Sequence, residues 1–147
     1  VKNINPSCQI GINHTIGRNT LEPEERYMPE RCIEGDPIRM FPSDFRLWDP
    51  YPCSENDPKI YTYKGEKYYL PFEMTICSRE GFSWFNSDEY EKKEFTDISQ
   101  TVQNCNQGIF SKNNVVINLP PDKNGKLSEG DIEHLEKIVK GINSYVK

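Results

Sequence analysis

One carboxylate, Glu73, stands inside an aromatic and apolar run, Tyr68-Tyr69-Leu70-Pro71-Phe72-Glu73-Met74-Thr75-Ile76-Cys77. β-branched and aromatic residues favour strands, so the run predicts a buried strand from about Leu70 to Cys77. A carboxylate in such a run is costly without a partner or a task. Two readings stay open on pattern alone. Glu73 points to solvent from an edge strand, or it faces the crevice that α/β proteins form at the carboxyl ends of their strands. Glu80 is a further carboxylate of the same stretch, and Trp84 follows it in Phe82-Ser83-Trp84-Phe85. Earlier in the chain Asn13-His14-Thr15 follows Cys8–Ile12, which reads as a short strand. A His at a strand end is either incidental or a hydrogen-bonding group for a ligand. The same three residues form a glycosylation sequon by pattern, in a position that a fold would expose poorly.

The elements that must position these residues follow in chain order. From Gly17 to Pro58 the pattern is broken by prolines and charged residues, which deny a ladder its donors and stop helices. This predicts a long loop region, 17–58, anchored by Met40, Phe41, Phe45, Leu47, Trp48 and Tyr51. Such a loop either lines a binding site or merely covers the sheet. Ile60-Tyr61-Thr62-Tyr63 and Lys67-Tyr68-Tyr69-Leu70 flank Lys64-Gly65-Glu66, which predicts a hairpin leading into the Glu73 strand. Ile98, Val102, Cys105 and Ile109 share one helical face, and Gly108 weakens the helix end. Asn113-Asn114 tolerate the left-handed conformation that ends it. Val115–Leu119 reads as a buried strand stopped by Pro120-Pro121, and Asn124-Gly125 as a turn. Ser128 is a candidate cap for a last helix whose stripe is Ile132, Leu135, Ile138, Val139, Ile142 and Val146. That stripe is expected to pack on the strand Val115–Leu119.

Length and composition bound the answer. A chain of 147 residues makes one domain at most, and 35% hydrophobic with 28% charged residues is globular rather than disordered. The net charge of −5 and the lack of a basic stripe argue against nucleic acid. No apolar run approaches the ~18 residues of a membrane span. The chain begins without Met or a signal-peptide pattern, so it reads as a fragment or a processed form. The five cysteines, Cys8, Cys32, Cys53, Cys77 and Cys105, are widely spaced with no His in ligand spacing, which does not suit zinc. They fit either a secreted protein with one or two disulfides or buried thiols.

Two blocks carry a resemblance. Phe72-Glu73-Met74 followed by Phe82-Ser83-Trp84 resembles the acid/base segment of the α-L-fucosidases of glycoside hydrolase family 29, with Phe85-Asn86 where the family favours Gly-Tyr. Ile109-Phe110-Ser111-Lys112, Asn113-Asn114 and Val115-Val116-Ile117-Asn118-Leu119-Pro120-Pro121 resemble the family's helix end, turn and Leu-Leu-Leu-Asn strand. Asp122-Lys123-Asn124-Gly125-Lys126-Leu127 is similar to the turn that follows, and together the blocks cover roughly half the chain.

The resemblance implies an α/β fold, a partial (β/α)8 TIM-like barrel with the carboxyl-terminal strands and helices only, so that residues 1–147 form a single incomplete catalytic domain. It implies retaining hydrolysis of α-L-fucosides, with Glu73 as general acid/base and its pKa kept up by neighbours such as Phe72 and Tyr69. The nucleophile Asp would lie on a strand upstream of Val1. Asn13, His14 and Trp84 are the candidate substrate-binding residues, although Thr15 stands where the family places an Arg. Trp48 is either a stacking residue or a buried anchor. No cofactor or metal is required, and the expected partners are a fucosylated glycan and the missing barrel half or another subunit. A secreted or lysosome-like compartment is favoured. The alternative is a non-catalytic remnant, or a sugar-binding or structural protein of the same fold.

Overall fold

The computed structural model describes residues 1–12, 33–48, 53, 56–81 and 84–145. Its elements in chain order are β1 (Gly11–Ile12), β2 (Phe45–Trp48), β3 (Ile60–Tyr63), β4 (Glu66–Tyr69), β5 (Phe72–Cys77), α1 (Ile98–Phe110), β6 (Asn114–Asn118) and α2 (Glu129–Tyr145). This is an α/β order with parallel strand pairing, part of a (β/α)8-like barrel. The chain divides into two compact units, Val1–Asp49 with Asn56–Glu73, and Pro50–Glu55 with Met74–Lys147.

In the first unit β1 and β2 pair in parallel, Gly11 opposite Phe45 and Ile12 opposite Arg46, and β5 is the next strand after β2. β2 lies inside the stretch whose prolines predicted a long loop. Pro42 and Pro50 flank this strand rather than interrupt it, so its ladder keeps its donors. The expected hairpin is present as β3 and β4, with Tyr63 opposite Glu66. Its turn residues Lys64 and Gly65 both have positive φ, 51° and 86°, which matches the twist of the flanking strands. Ile38, Tyr61 and Leu70 form this unit's core, with Tyr63 and Tyr68 packed against it.

Arg46 is 4% exposed, and its guanidinium lies over the rings of Tyr61 and Phe72, at 5.2 and 4.9 Å. Its Nη2 donates to the Pro58 carbonyl at 2.7 Å. The Glu34 carboxylate accepts from the backbone N–H groups of Lys59 and Ile60, at 2.9 and 2.8 Å, so a side chain satisfies a strand start.

In the second unit the later part of β5 neighbours β6, and α1 and α2 bury a common core with them. Val102, Cys105 and Ile138 form its centre, joined by Ile76, Ile98, Val115, Ile117 and Ile142. Two glycines permit close approach. A Cβ on Gly141 would stand 2.6 Å from a methyl of Val102, and one on Gly108 would stand 2.6 Å from a methyl of Val115. Gly108 is thus a packing residue of α1.

Asp97 caps α1 by accepting from the Gln100 N–H at 2.7 Å. The helix ends with Lys112 left-handed at φ 58°, while the N–H groups of Lys112 and Asn113 return to the carbonyls of Ile109 and Gly108. That is a Schellman ending. It uses Lys112, and not Asn113 or Asn114, as the left-handed residue. Helix α2 also departs from the expected stripe. Asp131, His134 and Ile138 line its buried face, whereas Ile132 and Val139 are largely exposed. The face is turned because Asp131 and His134 enter a polar network, described below. Val146 lies outside the described residues.

Candidate functional site

Glu73 is the second residue of β5 and the last of the first unit, so it stands near the beginning of its strand. Side chains alternate across a strand. Phe72 and Met74 point one way and are fully buried, while Glu73 takes the other face of β5 and is half-buried. Its carboxylate has no hydrogen-bond or ion-pair partner among the described residues. Glu80 is exposed, beyond the end of β5.

Trp84 belongs to the second unit and lies past the carboxyl end of β5. Its carbonyl accepts from Asn118 Nδ2 at 3.2 Å. Asn118 closes β6, and its own carbonyl accepts from the Ser78 N–H at 3.1 Å, just beyond β5. Trp84 of the first sequence block and Asn118 of the second therefore meet beyond the carboxyl ends of neighbouring strands, the rim on which barrel active sites are built, whereas Glu73 of the first block stands near the other end of β5. Phe85, next to Trp84, is 84% exposed. Asn13 and His14 lie outside the described residues, and Trp48 falls in β2. Of the expected site residues, Trp84 lies in the second unit and Glu73 in the first, and no two of them are brought together among the described residues; Asn118, which meets Trp84, was not among them.

A network that the sequence reading missed holds the segment on either side of Trp84. Asp131 is 1% exposed, and its Oδ1 accepts from Tyr90 Oη at 2.9 Å, Ser78 Oγ at 3.1 Å and Arg79 Nε at 3.3 Å. Its Oδ2 accepts from Ser128 Oγ, which in turn accepts from the Asp131 N–H at 3.0 Å. Ser128 thereby caps α2, and the Asp131 carboxylate accepts from the capping hydroxyl.

The Arg79 guanidinium lies over the rings of Phe95 and Tyr90, at 4.1 and 4.9 Å, and donates to the carbonyls of Glu91 and Lys93. Phe95 stacks on His134 at 4.7 Å, and Thr96 Oγ1 lies 3.2 Å from His134 Nε2. These contacts tie residues 78–79 and 90–96 to the start of α2, and so fix both ends of the loop that carries Trp84.

Burial pushes the Asp131 carboxyl up, but the hydrogen bonds from Ser128, Tyr90, Arg79 and Ser78 together hold it below the ordinary aspartate value. Burial raises the Tyr90 hydroxyl. Burial, helped by the charge of Lys137, lowers the His134 imidazole. The signal for this network was Ser128-x-x-Asp131, a capping pattern; Arg79, Tyr90 and His134 carry no comparable mark in sequence.

Among solved structures the chain is similar to the "putative alpha-L-fucosidase from Bacteroides thetaiotaomicron", with TM-score 0.50 and 18% identity over 69% of this chain and 26% of that one. SpGH29 matches with TM-score 0.46 and 16% identity over 90% of this chain and 34% of that one. The chain thus spans 26% and 34% of the length of these structures. The first likeness is one of fold. No protein-family model matches the chain, and no curated protein does. No helix among the described residues is long and apolar enough to cross a membrane.

Proposed function

We propose that this chain is part of a retaining glycoside hydrolase that releases α-L-fucose from glycoconjugates, with Glu73 as general acid/base. The observation that supports it most is the Asn118–Trp84 hydrogen bond, which joins the two family-like blocks at the carboxyl ends of β5 and β6. In this reading Glu73, on the face of β5 opposite Phe72 and Met74, protonates the leaving glycosidic oxygen. An Asp on chain preceding Val1 attacks the anomeric carbon, and water then releases the sugar with the roles reversed. The two carboxylates of such a pair stand roughly 5–5.5 Å apart. Asn13, His14 and Trp84 contact the sugar, and the remaining barrel staves come from further chain or another subunit. A secreted or lysosome-like compartment suits a fucosylated glycan substrate.

The test uses a longer chain that includes the upstream strand, with a nitrophenyl α-L-fucoside as substrate. Glu73→Ala is expected to cut turnover roughly 10²–10⁴-fold, the usual contribution of a positioned acid. Azide is expected to restore part of it where release of the enzyme-bound sugar is limiting. An unchanged rate removes Glu73 from the mechanism and passes the role to Glu80. The 147-residue chain by itself is expected to be inactive, because two carboxylates must flank one bond. Turnover by that chain would refute the assignment of the nucleophile to upstream residues.

A further inference from the structure

Two buried sulfurs in the second unit come from distant parts of the sequence. Cys105 is fully buried in the core between α1 and α2, and Cys53 is 6% exposed. Cys53 belongs to Pro50–Glu55, which joins the second unit although the chain on either side of it joins the first. Its backbone N–H donates to Met74 Sδ at 3.3 Å, which fixes it against β5.

Its Sγ lies 3.2 Å from where a Cβ on Gly108 would stand. Gly108 follows Cys105 by one turn of α1 on the same face, and residues so spaced have Cβ positions about 5–6 Å apart. The absence of a side chain at Gly108 is what lets the Cys53 sulfur reach this face. The same closeness shows in the electrostatics: the Cys105 thiol is pushed up to about 11 by burial and by the neighbouring Cys53. Both residues are thiols in the structure.

We infer that Cys53 and Cys105 are the pair that closes as a disulfide when the protein folds in an oxidising compartment. The step is thiol–disulfide exchange with a small-molecule disulfide such as oxidised glutathione. The Cys53 thiolate attacks one sulfur of glutathione disulfide, forming a mixed disulfide and releasing one glutathione thiolate. The Cys105 thiolate then attacks the Cys53 sulfur, forming the Cys53–Cys105 bond and releasing the second glutathione. Two thiols are oxidised, one external disulfide is reduced, and the two protons pass to the departing thiolates. A raised thiol in a sealed core exchanges slowly, so closure belongs to folding and not to the finished fold. The bond would join the segment around Cys53 to α1 across the whole of β3, β4 and β5.

The test refolds the full reduced chain in a buffer of reduced and oxidised glutathione, traps remaining thiols with iodoacetamide in denaturant, and maps the peptides by mass spectrometry without reduction. The expected result is a dominant Cys53–Cys105 peptide, retained in Cys77→Ser and lost in Cys53→Ser and Cys105→Ser. Recovery of Cys53 and Cys105 as alkylated thiols overturns the inference. So does a scatter over several pairings, or a dominant bond from either residue to Cys8, Cys32 or Cys77.

Discussion

The two units are held by different physics. In the first, side chains reach to backbone: Arg46 to the Pro58 carbonyl, Glu34 to the start of β3, and Asp44 to the Ile10 N–H at 2.9 Å. In the second, two helices and two strands bury a periodic apolar core around Val102, Cys105 and Ile138, and one aspartate gathers four donors at its edge. A periodic face is stabilised by many small contacts and tolerates the loss of one. A collected polar centre does not, because its desolvated members are left unpaired.

The largest expected effects lie at these centres. Asp131→Ala leaves Arg79, Tyr90, Ser78 and Ser128 without their shared acceptor. It is expected to destabilise the second unit by about 3–5 kcal/mol, the range for breaking a buried charged pair. Arg46→Ala in the first unit removes a cation over two rings together with its hydrogen bond to the Pro58 carbonyl, with an expected loss of about 2–3 kcal/mol. Hydrogen exchange should assign the first loss to amides of α1 and α2 and the second to those of β3 and β4. Loss of protection in both sets by either variant would break the contrast between the units.

Packing comes next. Gly141→Ala and Gly108→Ala each drive a methyl to within 2.6 Å of a valine methyl, so the helix must shift. Overpacking of this kind costs about 1–3 kcal/mol, read from a urea midpoint at constant slope.

Much of the second unit is legible in sequence. Ile98, Val102 and Cys105 repeat at helical spacing, and both helices and β6 appear near where the sequence puts them, but Ile109 of the expected helix face is exposed and β6 is half-buried, with Val116 exposed, and not a buried strand. What period alone could not give is which line of α2 is buried. Asp131 and His134 displace Ile132 and Val139 from the core because of partners at Ser78, Tyr90 and Thr96, far away in sequence. In the first unit the hairpin was legible from Lys64-Gly65, whereas β2 was hidden by the prolines around it. Glu73 was conspicuous as a carboxylate among aromatics, and the Asn118–Trp84 bond was not, since nothing local marks an asparagine at a strand end for one carbonyl.

Acid should separate the units further. His134 is held below its ordinary value of 6.5, so the fold favours the neutral ring. That stability is complete above the unfolded value and is lost as pH falls from 6.5 through the folded value. Asp131 is held below 3.8, and its share is lost only as pH falls below that value. The first unit has the lower step alone among its described residues. Its Asp44 is lowered by its hydrogen bond from Lys2, against a smaller opposing effect of burial. Amide protection in α2 is therefore expected to decline as pH falls below 6.5, while β3 and β4 keep theirs. His134→Gln should remove that difference; a decline that persists in this variant would take it away from the imidazole.

The smallest effect compares one backbone strain in two settings. Lys112 ends α1 at φ 58° and Lys64 turns the hairpin at φ 51°. A left-handed residue with a side chain costs roughly 1–2 kcal/mol, and glycine returns part of that as chain entropy, roughly 0.5–1 kcal/mol. Lys112→Gly should therefore stabilise by about 0.5–1 kcal/mol, since the Schellman bonds from Lys112 and Asn113 are made by backbone alone. Lys64→Gly relieves the same strain but also removes an ammonium that lies 5.4 Å from the centre of the Tyr63 ring. An exposed contact of that kind is worth about 0.5–1 kcal/mol, enough to cancel the gain. The urea midpoint should rise for Lys112→Gly and stay level for Lys64→Gly. Equal rises would show that the Tyr63 contact contributes nothing, and a fall for Lys112→Gly would show that the lysine side chain, and not its backbone, holds the end of α1.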